Sequence, residues 1–253
     1  LIFICLLICF LISGFFIHLF TKDLERRKRR FSVHGTFWCR FCCRLFRIKV
    51  IVKNQPQEDK PGLLVGNHLG FIDLLACASV QPNLFVTSRE MRETPVLGLI
   101  TEMAGCIYVE RRSRSNILKE LGEMIDYLRK GFRVVLYPEA TSTNGEGVFP
   151  FKRTLMTAAA HAGVPIIPYV FNFREINGEP GFQLKYRDSV CWYGDISFVQ
   201  AIWNAFSLKS LVCEVEFLSP VYTKTDDDRA VVADAVREMI VAKFNPVDKT
   251  ERF

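Results

Sequence analysis

A histidine and an aspartate five residues apart, in the segment GNHLGFIDLL (66–75), have the types and spacing for acid–base chemistry. An imidazole oriented by a carboxylate can strip a proton from an alcohol. The carboxylate fixes one ring nitrogen and stabilises the imidazolium, and the other nitrogen takes the proton. The segment follows GLLVG (62–66), a short apolar run that reads as a buried strand. His68 and Asp73 therefore stand at that strand's carboxyl end. Along one straight helix the two side chains would point about 140° apart. Gly70 permits a sharp turn from strand into helix, and with that turn Asp73 reaches back to His68. This is the carboxylate–histidine half of a triad with no serine beside it, so the nucleophile can be the substrate's own hydroxyl. The bland alternative for the pair alone is a strand-end histidine capping a backbone group.

Three further segments carry polar residues beside apolar strands. AGCIYVERRS (104–113) ends in Arg111 and Arg112. Paired guanidinium forks suit a phosphate, although a solvated basic loop would look the same. YPEATSTNGEG (137–147) offers Glu139, which could hold a substrate hydroxyl or pair with an arginine. The same stretch also reads as an ordinary turn at Asn144-Gly145. VPIIPY (164–169) is an apolar strand between two prolines, and a simple core strand is its plainest reading.

In this order and spacing, the four segments resemble the PlsC-type glycerolipid acyltransferase family, which includes the 1-acylglycerol-3-phosphate acyltransferases. NHLGFID resembles that family's N-H-x-x-x-x-D block, GCIYVER its second block, YPEATST its F-P-E-G-T block and VPIIPY its fourth. The resemblance implies that His68 is the general base and Asp73 its orienting carboxylate. It implies that Asn67, Arg111, Glu139, Thr141, Lys152 and Arg153 bind the acceptor, and that Pro165 and Pro168 shape the fourth-block strand. It implies an acyl thioester donor, acyl-CoA or acyl-carrier protein, and a lysolipid acceptor, foremost 1-acylglycerol-3-phosphate. No covalent acyl-enzyme, metal or further cofactor is implied. Two departures stand in the third block: Tyr137 replaces phenylalanine, and Ala140 replaces a glycine whose freedom at positive φ it lacks. The tail STNGEGVFPFK resembles members acting on lyso-ornithine or other lysolipids. Outside acyl transfer to such acceptors, the rivals are a non-catalytic lipid-binding protein and a lipid hydrolase. The hydrolase would more often show G-x-S-x-G, which this sequence lacks.

Behind the blocks, apolar runs at 62–66, 84–88, 132–139 and 164–171, and alternating stretches at 182–190 and 212–221, read as strands. Helices are expected at 71–80, 116–131, 152–162, 196–206 and 227–244, the last capped by Asp226. Strands alternating with helices predict an α/β fold, a mixed and largely parallel sheet covered by helices.

The front of the chain is different. Residues 1–20 contain no Asp, Glu, Lys or Arg. About 20 apolar residues suffice to cross a hydrocarbon core. Lys22, Arg26, Arg27, Lys28, Arg29 and Arg30 follow at once, which predicts a single-pass helix with the remainder on the cytoplasmic side. A cleaved signal peptide is the competing reading, disfavoured because the basic residues follow the apolar run. Residues 31–52 place Phe37, Phe41 and Leu45 on one helical face beside Arg40, Arg44 and Arg47. That pattern fits an interfacial helix or a helix covering the core. The expected organisation is a transmembrane anchor at 1–21, a basic and amphipathic membrane-interface segment at 22–55 and an acyltransferase domain at 56–253.

The bulk numbers agree. Hydrophobic residues make up 49% of 253, and mean hydropathy is +0.15. The chain's net charge is +6, and basic residues cluster beside the apolar helix, which suits anionic headgroups and not a nucleic acid. Nine cysteines with no paired spacing fit a reducing compartment. A metal site at Cys39, Cys42, Cys43 and His34 is the less favoured reading of that cluster.

Overall fold

The computed structural model describes residues 2–57, 60–110 and 114–250. Helices α1 (Ile2–Phe20) and α2 (Leu24–Leu45) lead into strands β1 (Ile48–Lys53) and β2 (Gly62–Gly66). Then come α3 (Phe71–Val80), β3 (Leu84–Ser88), α4 (Arg89–Glu93), α5 (Leu97–Met103) and β4 (Ile107–Val109). Helix α6 (Arg114–Arg129) and β5 (Arg133–Leu136) are followed by a 3-10 turn (Thr154–Thr157), α7 (Ala158–Ala162), β6 (Ile166–Ile176) and β7 (Glu179–Pro180). A second 3-10 turn (Leu184–Tyr186) runs into α8 (Arg187–Val190), and α9 (Phe198–Phe206), β8 (Leu211–Phe217) and α10 (Arg229–Val241) follow.

One sheet holds the strands in the order β1-β8-β6-β2-β5-β3-β4, with β7 paired to β6. Strands β6, β2, β5, β3 and β4 are parallel, β8 runs antiparallel to β6, and β1 is parallel to β8. The expected mixed, largely parallel sheet is therefore present. Its central strands read as unbroken apolar runs because both faces are covered. Leu64, Val135, Ile167 and Phe171 point into one cluster with Ile72 and Ala76 of α3. Leu63, Val65, Val134 and Val170 point into the other, with Met124 and Leu128 of α6 and Val236 and Ile240 of α10. Strand β2 sits between β5 and β6, so its carboxyl end opens at the middle of the sheet edge.

The amino-terminal helices pack on this body. Helix α2 is capped by Asp23, whose carboxylate accepts from the Arg26 amide at 2.8 Å. Phe31, Ser32, His34, Gly35, Thr36 and Cys43 are buried, while Val33, Phe37 and Phe41 face outward. One helix thus serves both as a cover for the core and as an apolar outer face. Residues Phe3–Phe20 of α1 have a mean hydropathy of 2.7, long and apolar enough to cross a membrane. Yet α1 lies antiparallel along α2. Phe3 meets Phe46, Phe10 stacks on His34 and Arg30 donates to the Thr21 hydroxyl at 2.8 Å. The His34 ring nitrogens lie 2.8 Å from Ser13 Oγ and 3.3 Å from the Met103 carbonyl, so His34 does not converge with Cys39, Cys42 and Cys43.

Four expectations change. Residues 182–190 form the second 3-10 turn and α8, not a strand. Their alternation buries Phe182 and Val190, but β6 is already flanked by β2 and β8. Only Gln183 finds a bridge, to Asp248. Helices α4 and α5 fill 89–103, where no element was expected. The sheet starts before residue 56, since Ile48–Lys53 pair with β8. Helix α10 is capped by Asp228, not Asp226: Asp228 Oδ1 accepts from the Ala230 amide at 2.6 Å. Asp228→Ala is therefore expected to cost about 1 kcal/mol in unfolding free energy, and Asp226→Ala less than about 0.5. Thermal unfolding of the two variants side by side checks this, and equal effects would contradict it.

Candidate active site

The carboxyl end of β2 delivers Asn67, His68 and Leu69 into a turn that starts α3. Gly70 is the N-cap of α3 and has φ 154°. An L side chain is strained there, and a Cβ would lie 2.9 Å from the Trp192 nitrogen. Asp73 is the third residue of the helix. Its Oδ2 accepts from the backbone amides of Leu69 and Gly70, both at 2.6 Å. The same carboxylate faces His68 Nδ1, at 3.1 Å from Oδ1 and 3.3 Å from Oδ2. One carboxylate thus caps the helix and orients the imidazole. Asp73 is fully buried, while the His68 side chain is 21% exposed. No described residue hydrogen-bonds Nε2 of His68, so that nitrogen is available to a substrate.

The 137–149 segment holds His68 from the other side. Glu139 Oε1 accepts from the His68 amide at 2.7 Å, and Oε2 accepts from the Phe149 amide at 2.6 Å. The Thr143 amide donates to the His68 carbonyl at 2.9 Å. The Tyr137 ring stacks on the imidazole with centroids 4.2 Å apart and planes 17° from parallel. Burial pushes the Glu139 carboxyl up to about 7, against the two amides that favour its charged form. The loop after α8 closes a third side, where the Trp192 amide donates to the Leu69 carbonyl at 2.8 Å. Ser142 Oγ donates to the Trp192 carbonyl.

The other expected site residues divide. Asn67 is buried, its amide spanning the Phe171 peptide: Oδ1 accepts from the Phe171 amide at 2.8 Å and Nδ2 donates to its carbonyl at 3.1 Å. It ties β2 to β6. Among the described residues, Glu139 binds two backbone amides and no arginine. Thr141 is exposed, its hydroxyl 3.3 Å from the Ser142 carbonyl. Lys152 reaches the site through its backbone, donating to the Pro138 carbonyl at 2.8 Å, while its side chain is exposed. Arg153 lines a cleft with His161, Lys224 and Arg229. Arg111 lies outside the described residues. Pro168 stands where β8 has ended, and its carbonyl accepts from the Leu218 amide at 2.8 Å. Ala140 has φ 60°, the left-handed conformation its methyl disfavours by about 1–2 kcal/mol.

Sequence reasoning assigned no role to Tyr137, Thr143, Phe149 or Trp192. The first three lie in or just after the third block, where the hydroxyl run and the proline were visible signals. Trp192 had none.

The raised Glu139 pKa has a sign that can be measured. A carboxyl that binds its proton more tightly when folded than when unfolded loses folding stability as pH rises from about 4.5 to about 7. Glu139→Gln removes that slope. The unfolding free energy of the wild type minus that of the variant is expected to fall across this window, and a flat difference would contradict it.

Comparison with known proteins agrees with the geometry. Residues 47–172 match the family described as Acyltransferase. The 1-acyl-sn-glycerol-3-phosphate acyltransferase of Neisseria gonorrhoeae is 27% identical over 74% of this chain and 71% of its own length. The lyso-ornithine lipid O-acyltransferase of Brucella abortus is 28% identical over 90% of this chain and 86% of its own length. The crystal structure of the 1-acyl-sn-glycerophosphate acyltransferase PlsC from Thermotoga maritima has the same fold, with a TM-score of 0.65 at 16% identity over 92% of this chain and 86% of that one. With this agreement in sequence and fold, and the His68–Asp73 pair at the carboxyl end of β2, the chain belongs to the PlsC-type glycerolipid acyltransferase family and is an O-acyltransferase.

Proposed function

We propose that His68 is the general base of acyl transfer from a thioester donor to the hydroxyl of a lysolipid. The observation that carries the reading is the His68–Asp73 contact at the mouth of the sheet, with Nε2 left open. In this scheme Nε2 takes the acceptor hydroxyl proton as that oxygen attacks the thioester carbonyl carbon. The new C–O ester bond forms, the C–S bond breaks, and the imidazolium returns the proton to the departing thiolate. Asp73 holds Nδ1 throughout and stabilises the imidazolium. No acyl-enzyme is formed. The donor is acyl-CoA or acyl-carrier protein.

The acceptor favoured is 1-acylglycerol-3-phosphate, which the relatives from Neisseria and Homo sapiens are named for. Arg111 follows β4 by two residues and is proposed to meet the acceptor's phosphate. A second reading, a lyso-ornithine lipid acceptor, is favoured by the Brucella relative, whose similarity spans more of this chain, 90% against 74%. The chain associates with a membrane, as the apolar α1 and its lipid-enzyme relatives support. We place the catalytic domain on the cytoplasmic side, because Lys22–Arg30 suit anionic headgroups there. Packing of α1 along α2 favours a helix embedded along the body over one standing clear of it.

His68→Ala is expected to lower acyl transfer at least about a hundredfold with folding retained. Near-normal turnover in a folded variant would defeat the assignment. Arg111→Ala is expected to raise KM for 1-acylglycerol-3-phosphate and to leave KM for a phosphate-free lysolipid alone. Mass spectrometry of products from a panel of lysolipids, with both thioester donors, measures this. A KM unchanged for both acceptors removes Arg111 from the role, and ester formed only on lyso-ornithine lipid selects the second reading.

A further inference from the structure

Helix α9 (Phe198–Phe206) contains no charged residue. Its N-cap is Ser197, whose Oγ accepts from the Gln200 amide at 3.2 Å. Ala201 and Ala205 are buried against the body. On the opposite face Val199 is 75% exposed and Trp203 77%, and Phe206 is also exposed. Positions 199, 203 and 206 follow helical spacing, so they form one outward apolar face. A tryptophan exposed to that degree is unusual on a face that meets only water, because it leaves a large apolar area unburied.

This face does not stand alone. The Phe206 ring lies 5.6 Å from Phe3 of α1 and 4.6 Å from Phe46 at the end of α2. From Phe3 the outer face of α1 continues through Ile4, Ile8, Ile12, Phe16 and Phe20, all exposed. The apolar surface therefore runs from α1 onto α9. Exposed cations stand beside the junction: Arg44, Arg47 and Lys209, with the Arg47 guanidinium donating to the Lys209 carbonyl at 3.5 Å. An apolar face with an aromatic ring and flanking Lys and Arg matches the headgroup–acyl boundary of an anionic bilayer. The inner side of α9 reaches the active site. Phe198 contacts Trp192 at 5.3 Å, and Trp192 holds the Leu69 carbonyl next to His68.

We propose that α9 is a bilayer-contact element, with Trp203 and Val199 seated at the headgroup–acyl boundary beside α1. It rests on the reading of the chain as membrane-associated and deepens it. The bilayer then reaches from α1 to the edge of the catalytic turn, and a lysolipid meets His68 without leaving the interface.

The test uses the full chain reconstituted on vesicles of mixed zwitterionic and anionic phospholipid. Acyl chains brominated near the headgroup quench an indole that touches them. Wild type, Trp203→Phe and Trp203→Ser are compared; the phenylalanine variant keeps an aromatic ring in place should serine disturb folding. Bromolipid is expected to remove a larger fraction of wild-type emission than of either variant's, and vesicles are expected to shield the Trp203 component from aqueous acrylamide. Equal fractional loss in all three proteins, on vesicle-bound chain, overturns the assignment of α9 alone. A chain that fails to bind vesicles overturns it together with the membrane reading. Acyl transfer is not read in this experiment, so the proposed chemistry stands or falls separately.

Discussion

The buried carboxylate of Asp73 is the constraint on which the rest depends. A carboxylate removed from water must find donors within the protein. Here they are the Leu69 and Gly70 amides and the His68 ring. One of these donors, the Gly70 amide, is the N-cap amide of α3, which needs an acceptor in any case, and the Leu69 amide immediately precedes it. The helix terminus and the imidazole are therefore satisfied by one group. Moving the carboxylate would uncap α3 and release the histidine together. This coupling makes the turn from β2 into α3 rigid, and rigidity is what a general base requires.

The surrounding segments serve the same turn through backbone contacts. Glu139 and Thr143 grip the His68 peptide at its amide and carbonyl, and Asn67 laces β2 to β6 through the Phe171 peptide. Glu139 and Asn67, expected from their motif at the acceptor, also frame the turn. Placing Glu139 in an apolar site raises its pKa to about 7, an unfavourable environment offset by two amide hydrogen bonds. Ala140, held at positive φ beside it, stores local strain in the same turn.

The membrane-facing side follows a different logic. Helices α1, α2 and α9 each bury one face on the body and expose another that is apolar. Water would disfavour such a surface, whereas lipid would accept it. The helices adjoin through Phe3, buried Phe46 and Phe206, and Phe46 also meets Phe71 at the start of α3, so α1, α2 and α9 come together beside the catalytic turn.

The sequence by itself determined the sheet class, the apolar amino-terminal helix and the His68–Asp73 pair. Each is written in local pattern: runs such as GLLVG, a charge-free stretch of 20 residues, and a glycine between two chemical residues. It misjudged 182–190, because alternation records which side chains are buried and not whether a sheet edge is free to pair. Nor did it show that Asn67 and Glu139 hydrogen-bond distant backbone, or that Tyr137 and Trp192 pack against the catalytic turn. Those roles arise from contacts between segments 50 to about 120 residues apart in the chain. Local spacing constrains a turn or a helix face, but only the packed sheet decides which distant backbone a polar side chain must satisfy.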